Sequence, residues 1–495
     1  MFEKITPEEA GVSSKYVKKY IDSLLRHHIN MHSVLMLKGD KLFAEYYWAP
    51  FDRDTTHRMY SQTKSYVGVA IGMLEEEGKL SLDDTIVSHF PEKIEREVPE
   101  YLARQTIRDM LMMCTCGNTP NWFINEDPDR THLYLNKINA THPSGTHWCY
   151  DSPGSQVLAS LVDKLAGKPM FDYMYEKIFS HLGTFKTATI LKTRNGDSWG
   201  DSALVCTPRD MASFARFVAN YGTWNGKRIM NEKYLREATS NLAPHQLMNV
   251  TTGFQTYGYG YQIWRTARDG FFFNGMGCQF TVVDPKTDTI FVCTADNQGE
   301  EKAGDYIVDR YFDLVLDNMQ SSPLSEDKEV YTELEKATSD LRLIVARGEK
   351  YSSLQKEING KTYVCDKENK QGITKFSLHF GDDGKCEFRY TNAQGDKTIA
   401  FGMKYNEFGK FPQLGYSDEY GTRPTTNGFM YKCAASAAWT GEKTLALRVQ
   451  IIDRYLGNFS SEFAFKGDEV TVTMFKNAEA FLEEYNGQFV ARLQD

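Results

Sequence analysis

A serine and a lysine three residues apart, Ser61 and Lys64, are the first residue types in the chain whose spacing suggests chemistry. They precede the apolar, helix-compatible stretch 65–74, and residues three apart on a helix lie on one face, one turn apart. Burial of such a lysine disfavours its charged form and makes it a proton acceptor for the hydroxyl group, while a helix N-terminus offers backbone N–H groups to an anion. Ser61 is therefore a candidate nucleophile. The same pair also fits a serine cap followed by a lysine in the first helical turn.

Any further proton-transfer partner for Ser61 must come from elsewhere in the chain. Ser61 lacks the G-x-S-x-G pattern of an α/β-hydrolase nucleophile. Two later stretches supply candidates: Tyr150 lies in a loop before a predicted helix at 155–166, and residues 272–279 form a glycine-bearing strand.

The elements around these residues predict one antiparallel sheet assembled from both ends of a long segment. A hairpin is predicted at 33–47, with turn residues at 38–40. Capping boxes begin helices at Thr106 and Thr207. Further strands are predicted at 259–266, 270–274, 279–283 and 289–294, followed by a helix at 306–319. This order predicts an α+β fold in which helices flank the sheet and a helical lobe lies between its two halves.

The composition changes at the polar stretch 321–328, which marks a linker. A helix is predicted at 330–346, and short alternating strands with turns follow from 358 onward. We therefore predict a first domain at 1–320, a linker and helix at 321–357, and an antiparallel all-β domain at 358–495, either a small barrel or a sandwich.

The overall composition limits the classes of partner. Of the 495 residues, 41% are hydrophobic and 25% are charged, which is ordinary globular usage, and the net charge is -9. An acidic chain offers no basic field for nucleic acid or an anionic membrane. We find no secretory signal pattern and no membrane-spanning run, which predicts a cytoplasmic protein. The nine cysteines show no zinc spacing, so we expect reduced thiols and neither a metal nor a cofactor.

Three motifs together resemble the serine β-lactamase and penicillin-binding superfamily, especially its class C branch with related esterases, D-peptidases and 6-aminohexanoate-dimer hydrolases. Residues 61–64 match the S-x-x-K motif. Residues 150–152 resemble the Y-x-N motif, with Ser152 in place of asparagine. Residues 273–275, Phe-Asn-Gly, stand where the family has K-T-G or H-x-G. Supporting stretches follow in family order at 76–84, 106–111, 257–260 and 283–285, so the resemblance extends over about residues 5–318.

This resemblance implies a β-lactamase/DD-peptidase-like fold and an acyl-enzyme mechanism. Ser61 would attack a carbonyl group while Lys64 and Tyr150 share the proton transfer, and the backbone N–H groups of Ser61 and Met276 would form the oxyanion hole. Ser152, Asn274 and Gly275 would contact the substrate. We accordingly expect a hydrolase for a small amide or ester.

The third motif departs from the family pattern because Phe273 replaces a cation. Family lysines or histidines at this position hold a substrate carboxylate or polarise the tyrosine, which phenylalanine cannot do. Two alternatives stay open: a D-amino-acid peptidase or true β-lactamase, and a catalytically idle ligand-binding protein. We expect the β-rich C-terminal domain to cover the cleft or to mediate self-association into a homo-oligomer.

Overall fold

The computed structural model describes residues 2–119, 121, 125–243, 253–413, 428–478 and 481–494. The chain forms two compact units. The first extends to Arg342, and the second comprises the described residues from Leu343 onward. Within these described ranges, no helix is both long and apolar enough to span a membrane.

The first unit is built on a mixed sheet that the two ends of the segment share. Within the described part of the chain, seven strands form this sheet, in the order β1-β3-β2-β14-β13-β12-β11, and all neighbours are antiparallel except β1 and β3. The early hairpin joins the later strands where β14 pairs with β2, so the predicted assembly is confirmed. The strands of this unit are β1 (Glu3–Lys4), β2 (Met31–Lys38), β3 (Lys41–Tyr47), β4 (His57–Arg58), β5 (Gly117–Asn118), β6 (Asn139–Ala140), β7 (Thr189–Ile190), β8 (Leu204–Cys206), β9 (Thr223–Trp224), β10 (Lys227–Arg228), β11 (Trp264–Arg265), β12 (Phe271–Gly275), β13 (Gln279–Asp284) and β14 (Thr289–Ala295).

Helices cover both faces of this sheet because successive side chains of a strand point to opposite faces. Along β2, Val34 and Met36 belong to one apolar cluster with α1 and α12, whereas Leu35 and Leu37 belong to a second cluster with α2 and α10. The helices of this unit are α1 (Ser14–Arg26), α2 (Thr63–Glu76), α3 (Ile86–His89), α4 (Glu100–Ala103), α5 (Ile107–Leu111), α6 (Arg130–Lys137), α7 (Ser152–Ala166), α8 (Met170–Met174), α9 (Ser180–Leu182), α10 (Pro208–Ala219), α11 (Glu232–Ala238), α12 (Ala303–Leu314) and α13 (Lys328–Thr338).

Helix α2 is buried along most of its length, which the apolar stretch after Lys64 predicts. Two glycines allow neighbouring elements to approach it closely. A Cβ atom at Gly68 would lie 2.7 Å from the carbonyl oxygen of Tyr261, and one at Gly72 would lie 2.3 Å from the ring of Tyr234. The predicted capping boxes at Thr106 and Thr207 are both present, at the starts of α5 and α10.

The strand predicted at 259–266 is wrong over most of its length, since only Trp264 and Arg265 pair with β12. The backbone N–H of Tyr261 donates to Ala238, and that of Gln262 donates to Leu111. These hydrogen bonds to helices replace the hydrogen bonds that a neighbouring strand would accept. Gln262 also adopts a positive φ of 59°, which is not a strand conformation. The helix predicted at 330–346 is shorter, because α13 ends at Thr338.

Helix α13 packs against α1, and its Leu334 is buried in the same apolar cluster as α1. The helix therefore belongs to the first unit. The ranges 1–320, 321–357 and 358–495 remain a prediction of separately folding domains.

The described residues of the second unit are all-β apart from one short helix. Its described strands form a ten-stranded sheet, and a parallel pairing of β18 with β20 closes nine of them into a barrel, with β19 attached to β20. The predicted all-β domain is thus confirmed as a small barrel. Its elements are α14 (Leu354–Ile358), β15 (Thr362–Cys365), β16 (Lys375–Phe380), β17 (Lys385–Asn392), β18 (Gly395–Met403), β19 (Glu407–Lys410), β20 (Lys432–Gly441), β21 (Thr444–Ile452), β22 (Leu456–Lys466), β23 (Glu469–Ala478) and β24 (Gly487–Leu493).

Candidate active site

The structure brings Ser61 and Lys64 into direct contact. Ser61 lies in a 3₁₀ turn, Tyr60–Gln62, that leads into α2, and Lys64 lies in the first turn of that helix. The Nζ atom of Lys64 donates to Ser61 Oγ at 2.9 Å and to the backbone carbonyl of Asp201 at 2.7 Å. Lys64 is only 1% exposed. The lysine is therefore held behind the serine, on the side away from solvent.

The backbone before Ser61 is held in an uncommon conformation. Tyr60 has a φ of 48°, a left-handed value that few residues other than glycine adopt. The guanidinium of Arg58 lies 4.4 Å from the centre of the Tyr60 ring, and its Nε donates to the carbonyl of Ser202 at 2.9 Å. A strained residue persists only where its surroundings fix it, and these contacts fix the turn that presents Ser61.

Tyr150 lies beside Lys64, in the loop predicted for it. The Lys64 Nζ is 5.0 Å from the centre of the Tyr150 ring, and the ring stacks on Trp264 at 5.8 Å between centroids. Tyr150 is 37% exposed, so its ring also faces the solvent-accessible cleft. Asp151 anchors the loop as the N-cap of α7 by accepting from the Gly154 N–H at 3.0 Å. Burial raises the pKa of the Asp151 carboxyl to about 6.

The turn between β12 and β13 is packed directly against the residues before Ser61. A Cβ atom at Gly275 would lie 2.1 Å from the carbonyl oxygen of Met59, so only glycine allows this approach. The side-chain amide of Gln62 donates to the carbonyls of Phe273 and Gln279, at 3.3 and 3.2 Å. These contacts tie the serine turn to the strand that precedes Met276.

Gln279 stabilises the same turn from behind. Its side-chain amide donates to the carbonyl of Met276 at 3.1 Å and to that of Ala295 at 2.6 Å. Gly277 and Cys278 both adopt positive φ values, 76° and 75°. The turn is thus shaped by buried hydrogen bonds, and Met276 is 37% exposed at its tip.

A pocket of about 440 Å³ opens in front of Ser61. Its lining includes a group of aromatic residues and two glutamates that precede α12. Of the described residues that line the pocket, only these two glutamates belong to the strongly charged types Asp, Glu, Lys and Arg. The lining residues include Trp148, Tyr150, Trp264, Asn274, Glu300 and Glu301.

Most of the predicted site residues meet at this pocket. Ser61, Tyr150, Asn274, Gly275 and Met276 line it, and Lys64 lies directly behind Ser61.

Ser152 is the first residue of α7 and is not among the described residues that line the pocket, so its contact with substrate remains a prediction. Phe273, at the position of the family cation, is fully buried and lies near the rings of Tyr66 and Phe214.

A group of buried residues around Lys64 was not predicted from the sequence. Asp201 contacts Lys64 through its carbonyl oxygen, and its carboxylate lies 4.0 Å from both Lys64 Nζ and the guanidinium of Arg130. The guanidinium groups of Arg58 and Arg130 both contact the ring of Trp199, at 4.3 and 4.8 Å from its centre. No spacing signal links these residues, because they come from β4, α6 and a loop far apart in the chain.

Within the described ranges, no three His, Cys, Asp or Glu side chains are placed to hold a metal ion together. Cys278 lines the pocket, and burial raises the pKa of its thiol to about 12. A thiol with a raised pKa is a poor nucleophile, which leaves Ser61 as the nucleophile that the geometry favours.

The chain is similar to known proteins at low sequence identity. A family model for beta-lactamases matches residues 17–315. A 6-aminohexanoate-dimer hydrolase from Paenarthrobacter ureafaciens is 24% identical over 278 residues, which cover 52% of this chain and 70% of that protein. An uncharacterised protein from Alkalihalophilus pseudofirmus is 22% identical over 253 residues, covering 45% of this chain and 69% of that protein.

Two solved structures share the fold. A Bacillus anthracis protein provisionally named 6-aminohexanoate-dimer hydrolase is 18% identical with a TM-score of 0.51, covering 68% of this chain and 88% of that one. A penicillin-binding protein homologue from Caulobacter crescentus is 13% identical with a TM-score of 0.51, covering 63% of this chain and 99% of that one. These matches confirm the resemblance inferred from the motifs. Since the family model matches more than half of the residues of this chain, the chain belongs to the beta-lactamase family.

Proposed function

We propose that this protein is a serine hydrolase that cleaves a small amide or ester through an acyl-enzyme on Ser61. The observation that supports it most strongly is the 2.9 Å contact between Lys64 Nζ and Ser61 Oγ at the inner end of a 440 Å³ pocket. A nucleophile within hydrogen-bonding reach of a buried base, facing a cavity that admits a small molecule, is the arrangement that nucleophilic catalysis requires.

In the proposed reaction, Ser61 Oγ forms a bond to the substrate carbonyl carbon while its proton passes to the Lys64 and Tyr150 pair. The carbonyl oxygen becomes an oxyanion, which the backbone N–H groups of Ser61 and Met276 stabilise. The bond to the leaving group then breaks, and the leaving group takes up the proton. Water attacks the acyl-enzyme in the same way and regenerates Ser61. Loss of one oxyanion donor in such a site typically costs about 3 kcal/mol of transition-state stabilisation.

The pocket favours some substrates over others. Its aromatic wall of Trp148, Tyr150 and Trp264 suits an apolar acyl chain, and Asn274 can hydrogen-bond an amide. Glu300 and Glu301 disfavour a carboxylate in the pocket, and Phe273 supplies no cation to bind one. A true β-lactamase or a peptidase that binds a free carboxylate is therefore less well supported. An amide or ester without a carboxylate near the scissile bond fits best, and the relative named 6-aminohexanoate-dimer hydrolase supports an amide.

The proposal is tested by exposing the full-length protein to a fluorophosphonate and measuring the intact mass. We expect one adduct on the wild type and none on Ser61→Ala. Ser65→Ala is a matched control, because Ser65 lies on the same helix and its hydroxyl donates instead to the carbonyl of Gln262. This variant should still form the adduct.

An adduct that persists on Ser61→Ala would refute Ser61 as the nucleophile. If the folded wild type forms no adduct at all, the alternative of a catalytically idle ligand-binding protein would take precedence, and binding assays with small amides would replace turnover assays.

A further inference from the structure

We propose that Asp201 and Arg130 form a buried charge pair that positions Lys64 and sets the pH range in which Lys64 accepts the Ser61 proton. This inference rests on the proposed function. Both residues are positioning residues, because neither lines the pocket among the described residues and both act through Lys64.

Asp201 contacts Lys64 in two ways. Its backbone carbonyl accepts a hydrogen bond from Lys64 Nζ at 2.7 Å, and its Oδ2 atom lies 4.0 Å from the same nitrogen. The other carboxylate oxygen, Oδ1, lies 4.0 Å from an Nη atom of Arg130. The side chains of Asp201 and Arg130 are 3% and 5% exposed, so water screens these charges little.

The loop that contains Asp201 is held firmly. The ring of Trp199 contacts the guanidinium groups of both Arg58 and Arg130. Arg58 also donates to the backbone carbonyl and the hydroxyl of Ser202, at 2.9 and 3.0 Å. The residues on both sides of Asp201 are thus fixed, which fixes the position of its carbonyl and carboxylate beside Lys64.

The charges around Lys64 explain why a pair is needed. A carboxylate 4.0 Å from an amine favours the ammonium form, which cannot accept a proton. Arg130 faces the same carboxylate and opposes its charge, while Asp201 orients Lys64 through its backbone carbonyl. Among the described residues, Lys64 also faces the Tyr150 ring, Ser61 Oγ and the buried Asp151 carboxyl. Burial raises the pKa of Asp151, and the charge of Lys64 lowers it in part. Arg58, in β4, adds a positive charge next to Ser202 of the same loop.

The test measures the rate of Ser61 phosphonylation against pH for Asp201→Asn, Arg130→Gln and the double variant. Removing the carboxylate should move the acidic limb of the profile to lower pH, and removing the guanidinium should move it to higher pH, each by about one pH unit. Because the two effects act on one group, the double variant should return close to the wild-type profile. A merely structural role would lower the rate without these opposite shifts.

Two controls separate charge from folding. Arg130→Lys keeps the charge while it loses the flat contact with Trp199, so its profile should stay near that of the wild type even if its melting temperature falls. Arg216→Gln removes a buried arginine whose guanidinium pairs with the Asp288 carboxylate at 2.7 Å. Arg216 is not among the described residues that line the pocket. That variant should lose stability without moving the pH profile.

The outcomes distinguish this inference from the proposed function. A wild type that is not phosphonylated overturns both. If the wild type is phosphonylated at Ser61 but the pH profiles of the single variants do not move, or both move in the same direction, only the role of the pair is overturned.

Discussion

Asp151 shows at the residue scale how the site tolerates a carboxyl group buried beside Tyr150. The carboxyl caps α7 and contacts the hydroxyl of Tyr134 at 3.4 Å. Burial raises its pKa to about 6, above the ordinary value for an aspartate. A group with a raised pKa in the folded state stabilises the fold at low pH, and this contribution is lost as the pH rises through the folded-state pKa.

We therefore expect Asp151→Asn to change stability in a pH-dependent way. Between about pH 4.5 and pH 7.5, the wild type should lose about 2 kcal/mol of unfolding free energy relative to the variant, because only the wild type must ionise a buried carboxyl. Asparagine can still cap the helix. Urea unfolding at the two pH values measures the difference.

Asp327→Asn is the control for the loss of a capping carboxylate, since Asp327 caps the more exposed helix α13. A stability difference between wild type and Asp151→Asn that stays constant across this pH range would contradict the explanation.

At the scale of elements, β12 packs against the backbone on either side of Ser61, and we expect this approach to position the Met276 N–H relative to the Ser61 N–H. Gly275→Ala would put a methyl group 2.1 Å from a backbone oxygen, so one of the two elements must move. We expect phosphonylation of Ser61 to slow about 100-fold, the typical cost of misplacing an oxyanion donor. The loss of stability should be about 1–3 kcal/mol, as for other overpacked sites.

Gly409→Ala is the matched control for that variant. Gly409 also lies in a strand, β19, and a Cβ atom there would meet nothing within 4 Å. Its labelling rate should not change. A Gly275→Ala protein that is phosphonylated at the wild-type rate would show that the close approach does not position Met276.

Local signals predicted the elements that hold the nucleophile, but not the surroundings of its base. The hairpin, α2 and the two capping boxes follow from spacing and turn chemistry, which are properties of neighbouring residues. The strand expected at 259–266 fails because Tyr261 and Gln262 donate to helices distant in sequence. Asp201 and Arg130 are likewise brought to Lys64 only by tertiary packing, which no pattern in one sequence records.

At the scale of the whole molecule, the first unit contains every described residue that lines the pocket. It also contains α13 and Leu341, which the boundary predicted at 320 would remove. Leu334 and Leu341 are buried in the same apolar cluster as α1, and the carbonyl of Leu341 accepts from the N–H of Ala49. We therefore propose that the first folded domain ends at Arg342 and not at 320.

We expect a chain that ends at Arg342 to melt about 5 °C or more above one that ends at Gln320, since burial of two leucines is worth several kcal/mol. Its Ser61 should be phosphonylated within about two-fold of the full-length rate, because the reacting groups are all retained. Calorimetry and intact-mass labelling measure both quantities, and light scattering compares the oligomeric state. Equal melting temperatures of the two shortened chains would refute the boundary at Arg342. If removal of the barrel lowers the labelling rate, the second unit has the expected role of covering the cleft. If it lowers the number of subunits, the second unit mediates self-association.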